Sequence, residues 1–425
     1  MIRTLDLAWR NIGRNRRRSV LSMVAVAVAT MAIVFLFSYI EGMKQDMADN
    51  LIRYYTGEVR IRHENYGDWE HLSPLHLSVA ELQDVLTGVE TRPETAAAVP
   101  RLTVPGAVFR EDQRIGMQVT GVDFLREIPF SGIDERVVQG SLNEITGGGD
   151  SDDRTTPALV GSRVMERLGL SSGDHFTVVV RTGLHGTNAM TFRAAAVADF
   201  PVASLNEVAV WVPLERVQHL ARMPDQAGEV LVQLNRGSVR ELGAAGATAE
   251  IATGAGAVGS EARPLEVSHW STINTTYQFM EYAQQIYNFV ALVFFLLAAT
   301  VIVNTTMMVI FERRREIGTL SALGMSQGEL VRLFFTESAI LGFFGALAGL
   351  AAGVGISLVV GQVGMDFSAA LEGIDMEISR VLYPRVNLRS SVGVFVFSFV
   401  VSAFTSYFPT RRITRIQPIE ALRDE

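Results

Sequence analysis

Along most of this chain apolar and polar residues mix on the short scale of a water-exposed fold, but four stretches carry no charge: residues 20–39, 283–311, 338–365 and 390–410. Each reaches the roughly 20 residues that a helix needs to cross a hydrocarbon core, so the pattern predicts four transmembrane helices. More than two hundred residues separate the first two. That is far too many for a connecting loop, and predicts one water-exposed domain inserted into a four-helix membrane unit.

The inserted domain reads as α+β. Short apolar or alternating runs bounded by Gly, Pro or Asp predict strands at 58–62, 107–110, 117–122, 176–181, 191–197, 207–212 and 230–234. Helices fall between them. Ser78-Val79-Ala80-Glu81 has the spacing of a capping box and opens a helix with Leu82, Val85 and Leu86 inward, and 162–168 and 214–221 also read as helical. Residues 147–153 and the Gly/Ala-rich 243–259 read as loops or a loose connector, with a domain boundary near residue 265.

Charge sets the expected orientation. Lys44 is the only lysine, and the segments 1–19, 312–337 and 411–425 together hold 14 arginines against eight acidic residues. With an even number of spans these segments share one side, and the positive-inside rule makes it the cytoplasm. The opposite loop, 366–389, carries three arginines against Asp366, Glu372, Asp375 and Glu377. The formal net charge of −8 therefore lies mostly on the external side, a sign that argues against a nucleic-acid partner there. A cleaved signal peptide is the rival reading of the N-terminus, with Ala27-Val28-Ala29 as cleavage site. Cutting there would leave an apolar new terminus, so an uncleaved span is preferred. Before it, Leu5, Trp9 and Ile12 recur at the spacing of an amphipathic interfacial helix.

Candidate chemistry is sparse. The chain has no cysteine, which removes disulfides, thiolate nucleophiles and thiolate metal sites. Gly324-Met325-Ser326-Gln327-Gly328 spells a hydrolase nucleophile elbow, but all seven histidines lie between His63 and His269, across the membrane from Ser326. Gly254-Ala255-Gly256-Ala257-Val258-Gly259 spells a dinucleotide fingerprint without a strand before it. His63, His71 and His76 cluster in sequence at no standard metal spacing. No phosphate-binding G-x-x-x-x-G-K-[ST] occurs, so any ATP must be held by another chain.

Within the spans the informative residues are small. Gly345, Gly349 and Gly353 repeat four apart, as do Ser398, Ser402 and Ser406, the pattern of close helix packing in lipid. No charge lies in any span, which argues against proton relays and ion-coupled transport. Beyond the membrane the helical pattern continues as a stalk. Tyr39, Met43 and Met47 follow the first span and Tyr282, Ile286 and Val290 lead into the second, faces suited either to each other or to an apolar substrate path.

Arg16-Arg17-Arg18 before the first span, Arg314-Arg315-Glu316-Ile317-Gly318-Thr319-Leu320-Ser321-Ala322-Leu323-Gly324 after the second, Glu337 at the start of the third with Gly345 and Gly349 within it, and Pro418-Ile419-Glu420-Ala421-Leu422-Arg423 at the end resemble the FtsX/MacB-type ABC transporter permeases. The resemblance covers the whole chain. Leu159-Val160-Gly161-Ser162 to Gly173-Asp174, with Asn188-Ala189-Met190, resembles the lipoprotein-releasing LolC/LolE group, and the chain departs from MacB in lacking a fused ATPase domain. The resemblance implies a MacB-like, type VII ABC permease fold: a cytoplasmic amphipathic helix at 1–18, spans at 19–41, 283–311, 338–365 and 390–410, an extracytoplasmic α+β domain with stalks at 42–282, a coupling segment at 312–337, an external loop at 366–389 and a tail at 411–425. It implies a second permease chain, the same or homologous, and a dimer of ATPase subunits that hold ATP and Mg. Arg314, Arg315, Glu316, Leu320, Leu323 and Gly324 would meet the ATPase, while a lipoprotein or other hydrophobic cargo and an extracytoplasmic carrier protein act outside. The setting it implies is the bacterial cytoplasmic (inner) membrane. The alternative implied function is an FtsX-like transmitter that controls a cell-wall enzyme and carries nothing; a membrane enzyme is the third reading, disfavoured by the missing nucleophile and base.

Overall fold

The structure is a computed structural model, and it describes residues 9, 12–13, 16–110, 113–147, 155–256, 264–273, 275–312, 325–367 and 379–413. The chain divides into two units, Met1–Gln45 with Met280–Phe367 and Val381–Glu425, and Asp46–Phe279 with Ser368–Arg380.

The first unit is helical. α1 (Arg16–Asn50) carries the first uncharged stretch, α8 (Thr275–Glu312) the second, α9 (Gln327–Val363) the third and α10 (Leu388–Ile413) the fourth. Among the described residues, three helices are long and apolar enough to cross a membrane by length and composition: Ser19–Thr56, Gln327–Val363 and Leu388–Thr405. On α8 the described apolar part is Gln285–Phe294. α9 opens with Ser326 as N-cap, its hydroxyl accepting from the Glu329 amide while Glu329 accepts from Ser326 N at 2.8 Å. Capping is thus the structural role of the serine in the elbow-like motif. The three glycines of α9 lie against α1: a Cβ on Gly345 would stand 2.8 Å from the Met23 carbonyl, one on Gly353 2.9 Å from Val34 Cβ, and one on Gly349 would fall on Ala27 and Thr30. Gly342 faces Ser402, and Ser398 and Ser402 are both buried. The side chain of Ser406, like Leu5 and the segments 313–324 and 414–425, lies outside the described residues.

The second unit is built on a ten-stranded sheet. Its strands are β1 (Val59–His63), β2 (Thr95–Arg110), β3 (Gln113–Val122), β4 (Val137–Gly140), β5 (Thr156–Gly161), β6 (His175–Arg181), β7 (Thr187–Ala198), β8 (Ala209–Pro213), β9 (Glu229–Leu234) and β10 (Leu265–His269). The order is β10-β1-β9-β2-β3-β8-β5-β7-β4, and β6 pairs with both β2 and β7, closing six strands into a ring. β3–β8 and β5–β7 are parallel, and the other pairs are antiparallel. The ring is filled by alternate residues of its strands, such as Leu102, Val104, Val119, Val160, Val178 and Phe192, and by Val217 and Leu220 of the helix α6 (Leu214–Ala221). At the other end of the sheet, β1 and β9 bury Val59, Ile61, Val230 and Val232 beneath α2 (Leu82–Glu90) and α7 (Arg236–Gly256).

Two local expectations are corrected. Ser78 does not cap α2: its hydroxyl bonds the Gln226 side chain at 2.7 Å, Val79 and Ala80 pair with Ala227 and Gln226, and Glu81 becomes the N-cap in a left-handed conformation. The pairing consumes the residues that a capping box needs free. The Gly/Ala-rich segment from 243 is not a loose connector: Gly243, at φ 74, only kinks α7. Ala247, Ile251 and Ala255 then form a buried stripe four apart. A Cβ on Gly254 would lie 2.7 Å from the Gly88 carbonyl, so the small residues let α7 approach α2 closely. The 147–153 loop expectation falls outside the described residues beyond Gly147.

Candidate functional site on the stalk of the first helix

In the membrane unit, α1 outward of its apolar stretch presents Ser38, Glu41, Gly42 and Gln45, spaced as one helical face. The segment before α10 is bonded along it. Arg385 N donates to the Ser38 carbonyl at 2.9 Å, the Arg385 guanidinium to Gln45 at 2.8 Å, and the Asn387 amide to Glu41 at 3.1 Å. Gly42 is required beneath this segment, because a Cβ there would run into the Tyr383 carbonyl.

In the domain unit the same helix ends in a clasp. Asp46 accepts from the Ser379 amide at 2.8 Å and from its hydroxyl at 2.7 Å, Asn50 donates to the Ser379 hydroxyl at 3.1 Å, and Ser379 forms an isolated bridge with Val202. The helix then widens into a π-turn, Leu51–Thr56, and stops at Gly57 (φ 65), whose N–H returns to the Ile52 carbonyl. Any side chain at Gly57 would meet the Val232 amide at 2.9 Å.

The end of this turn is gripped by Arg101 of β2. Its guanidinium makes a bidentate pair with Glu127 of the short helix α3 (Phe124–Ser131), at 2.7 and 3.1 Å, and donates to the carbonyls of Tyr54 at 2.6 Å and Arg53 at 2.7 Å. The Arg101 side chain is 3% exposed and that of Glu127 0%. The Trp211 ring lies 5.2 Å from the guanidinium carbon. Carbonyls at a helix C-terminus carry partial negative charge, so a buried cation suits them, and the carboxylate and carbonyls together satisfy a guanidinium that would otherwise be costly to bury. Mechanically, the last turn of the helix is fastened to the sheet at a dry, multiply bonded point.

The strands that enter and leave this domain are neighbours. β1, which follows α1, pairs antiparallel with β10, which precedes α8, from Val59↔His269 to His63↔Leu265. A 3₁₀ segment, Glu64–Leu72, folds over β1, and Glu70 binds Arg60 and Arg62 with one carboxylate oxygen each, at 3.0 Å. His63 caps this segment by accepting from the Asn65 amide at 3.2 Å, His76 is exposed and the side chain of His71 is outside the described set. Burial, with help from Glu229 and Glu70, pushes the Tyr66 phenol up to about 12. Burial alone would raise the Glu70 carboxyl, but the two guanidinium charges and their hydrogen bonds outweigh it and hold the group below the usual range. Stability from Glu70 is therefore present above the ordinary carboxylate range and lost as pH falls through its lowered value. Burial pushes Glu229 the other way, partly offset by Arg60 and Arg101. A fluorophore on a cysteine introduced at Asp68 is expected to loosen in acid, and Glu70→Gln to be loose already at neutral pH. If the two proteins titrate alike, Glu70 is not the fastener.

The proposed substrate path divides. Tyr39 is half-buried, its ring 5.6 Å from Phe367, and Met43 and Val290 are half-buried. Tyr282 and Ile286 are exposed, but Met47 is fully buried and has no surface to offer a ligand. Arg314, Arg315, Glu316, Leu320, Leu323 and Gly324 lie outside the described residues. Reading the sequence missed Arg101, Glu127, Asp46 and Ser379, whose types and spacing carry no motif.

The family description "MacB-like periplasmic core domain" matches residues 19–249 and "FtsX-like permease C-terminal" matches residues 288–418. Among relatives, the macrolide export ATP-binding/permease protein MacB 2 of Aeromonas hydrophila is 24% identical over 97% of this chain and 59% of its own length. The lipoprotein-releasing system transmembrane protein LolC of Neisseria meningitidis is 22% identical over 96% of this chain and 94% of its own. The chain spans 26% of the length of an ABC transporter permease of Methanocaldococcus jannaschii and 59% of the Aeromonas protein. The solved periplasmic region of MacB from Actinobacillus actinomycetemcomitans is 13% identical, at a TM-score of 0.36, over 56% of this chain and 95% of that one. With one of the two descriptions matching more than half of its residues and the other most of the remaining membrane helices, the chain belongs to the FtsX/MacB-type ABC transporter permeases.

Proposed function

We propose that this permease couples ATP hydrolysis on a separate ATPase dimer to the release or export of a lipoprotein or other hydrophobic cargo, by mechanical transmission. The observation that carries the reading is the unbroken α1, Arg16–Asn50, whose continuation ends in carbonyls held by Arg101. A helix packed through Gly345, Gly349 and Gly353 and fastened at its far end moves as a lever, because packed interfaces shift as rigid bodies. The paired strands β1 and β10 make the ingoing and outgoing connections move together. Within this proposal both termini and residues 312–337 are cytoplasmic, a second permease chain completes the membrane unit, ATP and Mg sit on the partner ATPase, and Arg314, Arg315, Glu316, Leu320, Leu323 and Gly324 receive its stroke.

Cargo with acyl chains leaves a bilayer along an apolar surface, for which Met43 and Ile286 are the accessible candidates. Photo-crosslinkers at these two positions are expected to capture an acylated protein when ATP is absent and to release it when ATP is trapped. Crosslinks that form only within the permease, or only to a cell-wall enzyme, would remove the export reading in favour of the signalling one.

A further inference from the structure

The membrane unit contains a groove of about 280 Å³, open to its surface and lined by α1, α8 and α10. Its lining is graded. Going inward along α8 come Asn288, then Ala291 and Leu292; going inward along α10 come Ser390, then Gly393 and Val394, with Phe37 of α1 as a third wall. On both lining helices of this pair the polar residue stands at the outward end, and everything deeper is apolar. Gly393 adds a second observation: a Cβ built there meets nothing within 4 Å, so the wall is open at that point and a side chain could enter.

Water suits such a space poorly, because each buried water needs two to four polar partners and only one end of the groove supplies any. Left empty, the lining would forfeit its dispersion contacts. A helix, at roughly 10 Å across, is too wide for it. At this depth the abundant apolar rods are acyl chains, and a glycerolipid has the same order of polarity as the wall: ester groups outward, methylenes inward. We propose that the groove is a binding site for one acyl chain of a membrane glycerophospholipid of the outward leaflet, with its ester beside Asn288 and Ser390 and its chain running inward past Gly393. The site requires only that these helices cross a bilayer, and it is separate from the export path at Met43 and Ile286.

The test uses the full-length permease, purified in mild detergent, delipidated, and given a defined mixture of phosphatidylethanolamine and phosphatidylglycerol. Lipid retained after dilution is counted by native mass spectrometry. The natural sequence is expected to keep about one phospholipid per chain. Gly393→Leu fills the groove and is expected to lower retention about tenfold. Gly355→Leu, at another glycine with open space around it but outside the groove, is expected to retain lipid as before. Ser390→Ala, a change too small to disturb folding, is expected to lower retention several-fold by removing a donor to the ester. Retention in Gly393→Leu and Ser390→Ala equal to that of the natural sequence overturns the proposal, as does no retained lipid in any form.

Discussion

Replacing Arg101 with alanine is expected to destabilise the extracytoplasmic domain by about 3–5 kcal/mol, the cost of leaving one member of a buried pair alone. Three groups lose their partner at once: the Glu127 carboxylate, with no exposed side-chain surface, and the carbonyls of Arg53 and Tyr54. The carboxylate would be left buried without a cation beside it, and the π-turn would lose its anchor. The double variant Arg101→Met with Glu127→Leu is expected to recover most of the lost stability, because apolar residues of similar volume replace the pair without stranding a charge. It is not expected to recover transport, since neither new side chain can hold the carbonyls that end the first helix. Thermal unfolding of the detergent-purified permease, with activity in vesicles, separates the two effects. A double variant as active as the natural sequence would show that the grip on the helix end does not matter.

Where the backbone pattern was periodic, the sequence was readable. The uncharged stretches stand on α1, α8, α9 and α10, and the helices Ser162–Leu168 and Leu214–Ala221 have the expected bounds. What failed depended on neighbours distant in the chain. α7 looked like a linker because Gly and Ala are the residues of linkers, yet they are also the residues that let one helix lie within contact of another, and only the position of Gly88 decides between the two. The start of α2 moved because Ser78 was recruited by Gln226, 148 residues away. β2 begins earlier than its apolar run, at Thr95, where Ala97 and Ala98 have little intrinsic preference for a strand but pair with Gln233 and Val232. Arg101 could not be distinguished from the other arginines, since its partners come from residues 53–54, 127 and 211 and a buried charge is defined by that assembly, not by local spacing. The seam on α1 is the same case: Asp46 and Ser379 are 333 residues apart.

Mechanical transmission is tested most directly by watching the external domain while the ATPase turns over. The chain has no cysteine of its own, so a spin label at an introduced Glu241→Cys, on the exposed side of α7, reports cleanly. Double electron–electron resonance between this label and one on the matching domain of the proposed second permease chain, the same or homologous, gives the separation of the two domains with nucleotide absent and with ATP trapped. The expected result is a shift on the order of 5 Å, the scale of a one-turn rearrangement between packed helices. In the variant carrying Glu316→Arg and Leu320→Asp, ATP hydrolysis is expected to continue while that shift disappears. An unchanged distance distribution in the natural sequence, under conditions where ATP is hydrolysed and cargo leaves the membrane, would contradict transmission through the first helix.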